Sequence, residues 1–205
     1  MATTASPYGL KAVNHIGGTP YAGSTRLLPI ANGYNTNIYN GSIVSIVAGG
    51  TIEIVTTTGN GGAGAAAAFP AGTIGVFVGC TYSDPVTGNL TFNQYFPAGT
   101  AATDAQAYIV DDPDVVFMAQ ADAAVTAADL GQNTHLAAAQ SSTTGNIPAG
   151  NSTTAVTATT ATTAAFAFRI VDFVDSPTST VGDAFTDLLV KFNAGVHSYN
   201  NSTGI

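Results

Sequence analysis

Charge is what this chain has least of. Only 8% of its 205 residues are Asp, Glu, Lys or Arg, against about 25% in an ordinary globular protein. Positive charge is the scarcest: 4 Lys and Arg face 12 Asp and Glu, a formal net charge of −8. Nucleic-acid binding draws much of its affinity from basic patches, so this balance argues against it. It argues equally against a polybasic membrane anchor. Cys80 is the sole cysteine, which excludes an intrachain disulfide framework and a multi-cysteine zinc site. Lying in the apolar run Thr73 to Cys80, it reads as a buried, inert thiol. No stretch approaches the ~20 apolar residues that span a bilayer. Met1 to Pro7 has neither the basic n-region nor the apolar h-region of a signal peptide, so a soluble protein made in a cytoplasm is expected. Tryptophan is absent.

What is present is apolar and turn-rich: 45% hydrophobic residues, 23 Gly and 9 Pro. That composition suits many short strands better than long helices. Strands are expected at Ser42–Val47, Thr51–Thr56, Thr73–Tyr82, Leu90–Phe96, Ala105–Val110, Val115–Gln120, Phe166–Val174 and Asp187–Phe192, where alternation or short β-rich runs end at turn residues. Residues 73–96 read as a hairpin. Thr126, Asp129 and Gly131 mark one helical turn or two, with Thr126 as N-cap. The uncharged segment 153–163 has high β propensity and must be paired or covered, because a free edge there would aggregate. The expected fold is all-β: a barrel or sandwich of short antiparallel strands with at most one or two short helices. Residues 1–30 show no sustained period and read as an extended N-terminal arm; the alternative is a loop and edge strand packed on their own domain. Residues 31–196 form the β-rich domain, and 197–205 a flexible polar tail.

Chemistry-bearing motifs are few. Gly59-Asn60-Gly61-Gly62-Ala63-Gly64 matches G-x-G-x-x-G after a strand. A dinucleotide fingerprint needs a helix directly behind the glycines. Pro70 and Gly72 leave no room for one before the next strand, so a hairpin loop is the better reading, with no cofactor. There is no P-loop, G-x-S-x-G or H-E-x-x-H motif, and His15, His135 and His197 are isolated in sequence, so no catalytic residues are assigned. Asp111, Asp112 and Asp114 around Pro113 could offer oxygen ligands to a cation. Their spacing is not that of an EF-hand, turn chemistry explains them as well, and no metal is assigned. Asp172, Asp175, Asp183 and Asp187 read as a solvated face, with Arg169 or Lys191 as partners. Tyr8, Tyr21, Tyr34 and Tyr39 lie on or near the arm, and tyrosine suits protein interfaces.

Several strings resemble a known family. Thr4-Ala5-Ser6-Pro7-Tyr8-Gly9-Leu10-Lys11-Ala12-Val13-Asn14 and Gly23-Ser24-Thr25-Arg26 look like small virion proteins of tailed bacteriophages, notably marine ones. So do Gly75 to Tyr82, Gln94-Tyr95-Phe96-Pro97, Arg169 to Val174 and Gly182 to Asp187. The resemblance implies a capsid decoration (cement) protein, made in the host cytoplasm and seated on the outer surface of an icosahedral head, bridging capsomers. It implies the major capsid protein as partner and carries no catalytic residues. Self-association is expected as a homotrimer, with a dimer as runner-up, since closed symmetric contacts are the norm. Pro7, Tyr8, Leu10, Lys11, Tyr21 and Arg26 are the expected shell contacts, Arg26 as the partner of a carboxylate. The alternative is a tail, head-fibre or host-adhesion component of the virion.

Overall fold

The computed structural model describes residues 4–61 and 66–205. In chain order the first strands are β1 (Lys11–His15), β2 (Arg26–Pro29), β3 (Ile38–Tyr39), β4 (Ile43–Ile46) and β5 (Ile52–Ile54). The long β6 (Thr73–Ser83) precedes β7 (Leu90–Asn93), β8 (Tyr95–Phe96), β9 (Gln106–Val110) and β10 (Val115–Gln120). The last five are β11 (Asn133–Thr134), β12 (Gly145–Asn146), β13 (Asn151–Ser152), β14 (Phe168–Phe173) and β15 (Asp187–Phe192). Helical structure among the described residues amounts to two 3-10 turns, Ala127–Asp129 and Ser198–Asn200. The first is the turn expected after Thr126, whose backbone N–H donates to the Asp129 carboxylate at 2.8 Å.

Two antiparallel sheets make the sandwich. The first runs β1-β10-β15-β14-β11, and the second β2-β9-β6-β4-β5, with β7 also paired to β6. A two-stranded ribbon of β3 and β8 packs outside the second sheet, and β12 pairs β13. Neighbouring residues of the second sheet divide between two cores, as side chains that alternate across a sheet must. Ile43, Val76 and Val110 join Phe117, Phe168, Ile170, Leu188 and Val190 of the first sheet. Val44, Phe77 and Ile109 join Ile38 and Phe96 of the ribbon. The second sheet is therefore covered on both faces over this half.

Strand β6 changes face twice on its way through. Val44 pairs Gly75 but Ser45 pairs Thr73, leaving Ile74 as an extra residue. Phe77 pairs Ile109 but Gly79 pairs Tyr108, leaving Val78 as another. Each bulge shifts the alternation by one. That is why Ile74, Phe77 and Cys80, three apart, all enter the same core. Gly75, at φ +151°, passes so close to β9 that a Cβ there would lie 2.0 Å from the Val110 carbonyl oxygen.

Residues 4–30 are not a separate arm. β1 is an edge strand of the first sheet on β10, and β2 an edge strand of the second on β9. Ahead of them, the Ser6 N–H donates to Gln120 Oε1 at 2.7 Å, the Gly9 N–H to the Thr154 carbonyl at 3.1 Å, and the Leu10 N–H to the Gly41 carbonyl at 3.0 Å. Backbone groups offered to a sheet edge gain partners there that a free arm leaves to water. The segment 153–163 is tied in as expected: Val156 bridges Ala121 and Leu136, Ala161 bridges Asn133, and Val156 is buried. Of the glycine-rich match, Gly59 to Gly61 lie in the described structure and the remaining Gly62 to Gly64 lie outside it.

One buried side chain acts as a strand. Gln140 donates from Nε2 to the carbonyls of Val55 at 2.9 Å and Ile43 at 3.2 Å, and accepts from the Ile43 N–H at 2.9 Å. Gln140→Leu leaves the Ile43 N–H and the Val55 carbonyl unpaired in the core, while the Ile43 carbonyl keeps the Val55 N–H at 3.0 Å, and a loss of about 3 kcal/mol in denaturant unfolding is expected. Gly75→Ala forces β6 away from β9 and is expected to cost about 3 kcal/mol. The control Gly88→Ala, in open space at φ +72°, is expected to cost about 1 kcal/mol, from backbone strain alone.

Candidate functional site

The structure separates the six residues expected to touch a shell. Leu10 is 2% exposed and belongs to the core, so it offers nothing to a partner. Pro7 is half-buried just ahead of it. The Tyr8 hydroxyl donates to Asp187 Oδ1 at 3.0 Å. Burial, then the Asp187 charge, pushes the phenol well above its ordinary value, and burial also raises the Asp187 carboxyl. Lys11 opens β1, is exposed, and has no carboxylate partner among the described residues. Tyr21 packs against the first core and its hydroxyl donates to the Ser24 carbonyl. Arg26 has a carboxylate partner, but within its own chain: Nε lies 3.0 Å from Asp111 Oδ2.

Arg26 belongs to a cluster at the crossover from β9 to β10, where the chain leaves one sheet for the other. Asp111 also accepts from the Tyr199 hydroxyl at 2.7 Å, and the Arg26 guanidinium sits 5.4 Å from the Tyr199 ring centre. Asp112 lies 3.4 Å from His15 Nε2, and Asp114 accepts from Lys191 Nζ at 2.8 Å. The Lys191 hydrogen bond and charge hold the Asp114 carboxyl below its usual range. The three aspartates are thus each engaged by a side chain of the same protein. No group of three or more His, Cys, Asp or Glu is placed to hold a metal ion among the described residues. The other expected pairings also differ. Lys191 goes to Asp114, Arg169 donates to Asn133 at 3.1 Å, and Asp187 takes Tyr8.

The tail read as flexible is docked through its first three residues. His197 is 1% exposed, its ring 5.8 Å from Phe192 and its Nδ1 accepting from the Tyr199 N–H at 3.2 Å. Tyr199 then reaches Asp111. A partner 88 residues away in sequence holds this turn in place. Cys80 is buried, with its thiol pushed up to about 12 by burial, which keeps it protonated and unreactive.

The surface that stands out is the uncovered half of the second sheet. Register puts Leu27 beside Tyr108 and Tyr108 beside Gly79. Phe92 lies beside Thr81, and Leu90 beside Ser83. Directly paired residues share a face, as do residues two apart on a strand. All of these therefore lie on the face that carries Val76 and Val110 inside the sandwich, beyond the reach of the first sheet. Leu27 is 50%, Leu90 62% and Phe92 68% exposed, and Val86 at the hairpin tip is 90% exposed. A shallow cavity of about 260 Å³ lies between Val78, Phe92 and Tyr108. The pattern in β7 is inverted: apolar Leu90 and Phe92 face out, while polar Thr91 and Asn93 are half-buried. Sequence reading missed this face. The alternation Leu90-Thr91-Phe92 marks a strand, but only the extent of the opposing sheet decides which side stays open.

No protein-family model matches the chain, and no curated protein and no solved structure matches it. No helix among the described residues is long and apolar enough to cross a membrane.

The buried His197 gives the fold a pH dependence. Burial pushes its pKa below the ordinary 6.5, against smaller upward pulls from the Ile74 backbone and from the charges of Asp111 and Asp112. The folded state binds the proton more weakly than the unfolded chain, so this stability is whole above 6.5 and is lost as pH falls below it. Thermal melts from about pH 8 to about pH 5, above the carboxylate range, are expected to show a midpoint falling through that window. His197→Asn, which keeps an acceptor for Tyr199, is expected to flatten the slope.

Proposed function

We propose that this chain is a structural protein of a tailed-phage virion, seated on the outer surface of the icosahedral capsid through the uncovered face of its second sheet. The observation that carries this reading is the inverted strand β7, with Leu90 and Phe92 turned to solvent beside Tyr108 and Leu27. Large apolar side chains on one rigid face mark an interaction surface. The partner, the major capsid protein, is what the resemblance of several strings to small phage virion proteins implies. A sandwich whose two cores and crossover are internally tied suits a subunit that adds area and rigidity to a shell. Many modest contacts repeated over the head stabilise the assembled state by mass action. A homotrimer at three-fold junctions is the arrangement favoured by closed symmetry, with a dimer at two-fold junctions next.

Two measurements test this. The copy number in purified virions is expected to equal the major capsid protein or a simple fraction of it; absence from virions would sink the reading, and a handful of copies would move it to the tail or a fibre. Phe92→Asp is expected to weaken binding to capsids lacking the protein by more than about thirtyfold, as loss of an interface anchor does. Its melting temperature should stay unchanged, since Phe92 has no place in either core. Undiminished binding by that variant would remove this face from the contact.

A further inference from the structure

A second site lies at the other sheet. A cavity of about 490 Å³ opens beside β1, lined by Tyr8, Leu10, Lys11, Asn40, Met118 and Asn151. Its volume falls in the range of small-molecule sites, about 300–1,000 Å³. Register places Lys11 directly beside Met118 across the β1–β10 pair, so ammonium and thioether share one face. A parallel bridge joins Asn40 to Asn151, fixed by the Asn40 N–H to the Gly150 carbonyl at 3.0 Å and the Ser152 N–H to the Asn40 carbonyl at 2.8 Å. The bond from Tyr8 to Asp187 holds the phenol ring in place.

The lining is chemically specific. Lys11 is its one charged group. It opposes a protein of net charge −8, yet no carboxylate of the described chain takes it, while Arg26 and Lys191 are both paired. The side-chain amides of Asn40 and Asn151 have no hydrogen-bond partner among the described residues, so each offers both a donor and an acceptor. Neighbouring hydroxyls need that combination, since each hydroxyl both donates and accepts. An ammonium answers a carboxylate with a charge-assisted bond. Tyr8 and Met118 supply apolar surface for the C–H face of a ring. A carboxylate, vicinal hydroxyls and an apolar ring face occur together in an acidic sugar.

We propose that this cavity binds a sugar carboxylate of the hexuronic acid type, with Lys11 on the carboxylate and Asn40 and Asn151 on the hydroxyls. The site is independent of the uncovered face of the second sheet, and it holds whether or not that face meets a capsid.

The test is a titration of the whole protein with D-glucuronate, followed by backbone amide NMR, with D-glucose and acetate as separate probes. Saturable shifts at Tyr8, Lys11, Asn40 and Asn151 are expected with glucuronate, and weaker binding of glucose and of acetate. Lys11→Met and Asn151→Ala are both altered at exposed side chains; the first is expected to weaken glucuronate binding at least about tenfold, the measure of a lost hydrogen bond to a charged group, and the second about threefold or more, the measure of a neutral one. Their spectra away from the cavity should match the parent. Absence of saturable shifts, unchanged affinity in Lys11→Met, or acetate binding as tightly as glucuronate would each overturn the proposal, the last by reducing the site to a lone cation.

Discussion

A sheet buried on both faces is the constraint behind the rest of this molecule. Over the half that holds Val44, Val76, Phe77 and Ile109, the second sheet has one core above it and another below. A strand in that position can carry no charge on either side, because a buried ion needs a buried partner. β4, β6 and β9 contain none. The absence of charge from these strands is thus a consequence of architecture. Where polarity is needed inside, the sequence uses neutral groups whose bonds can be completed locally. Gln140 completes the bonds of the Ile43–Val55 pair, and Thr134 Oγ1 donates to the Thr157 carbonyl at 2.6 Å.

One cluster of charges sits where the chain changes sheets: Arg26, Lys191, Asp111, Asp112 and Asp114. β1 and β2 are neighbours of β10 and β9, so the connection between β1 and β2 runs alongside the crossover from β9 to β10. His15 ends the one strand, Arg26 begins the other, and both meet the aspartates of the crossover. Ion pairs at this exposure contribute at most about 1 kcal/mol each. Their effect is geometric: they fix the spacing of two adjacent, oppositely running crossings and bring Tyr199 onto the same carboxylate as Arg26. The hydrophobic cores stabilise the sandwich, and the cluster sets how its edge strands are placed.

The sequence reading tracked the interior strands and lost the edges, for a physical reason. β4, β6, β9, β10, β14 and β15 are held by apolar side chains whose positions follow burial, so runs such as Thr73–Tyr82 and Val115–Gln120 announce themselves. β1 and β2 are half-exposed edge strands with no burial alternation to read, so residues 1–30 looked like an arm. Leu10 stood among polar and small residues and gave no sign that its backbone was tied to Gly41. His197 and Tyr199 looked like tail because their partners, Phe192 and Asp111, are set by tertiary packing. Gln140 sits beside a low-complexity stretch, and nothing local marks an amide that will satisfy two strands. Of the cavity beside β1, Tyr8, Leu10 and Lys11 were singled out from sequence. Asn40, Met118 and Asn151 became visible only once β1 had paired with β10 and residue 40 with residue 151.

Two of the edge strands of the second sheet, β2 and β7, differ in a way that bears on its uncovered face. β2 carries Arg26 at one end and Pro29 at the other, a charge and an imino acid that both discourage another strand from pairing with it. β7, Leu90–Asn93, carries neither. Its outward residues are apolar and its inward ones polar, the reverse of what stabilises a lone sheet in water. Turning Leu90 and Phe92 outward forfeits burial, worth about 1.5–3 kcal/mol for a large apolar side chain, that a core-facing register would have kept. Cys80 and Tyr82 on β6 show what holds the register in place: both point into the second core, and a one-residue slip of the pairing would expose the whole set. The hairpin is locked by its long strand, and the short strand bears the consequence. An apolar face held open by a rigid neighbour, on an edge with no charge to guard it, is compensated only when something covers it.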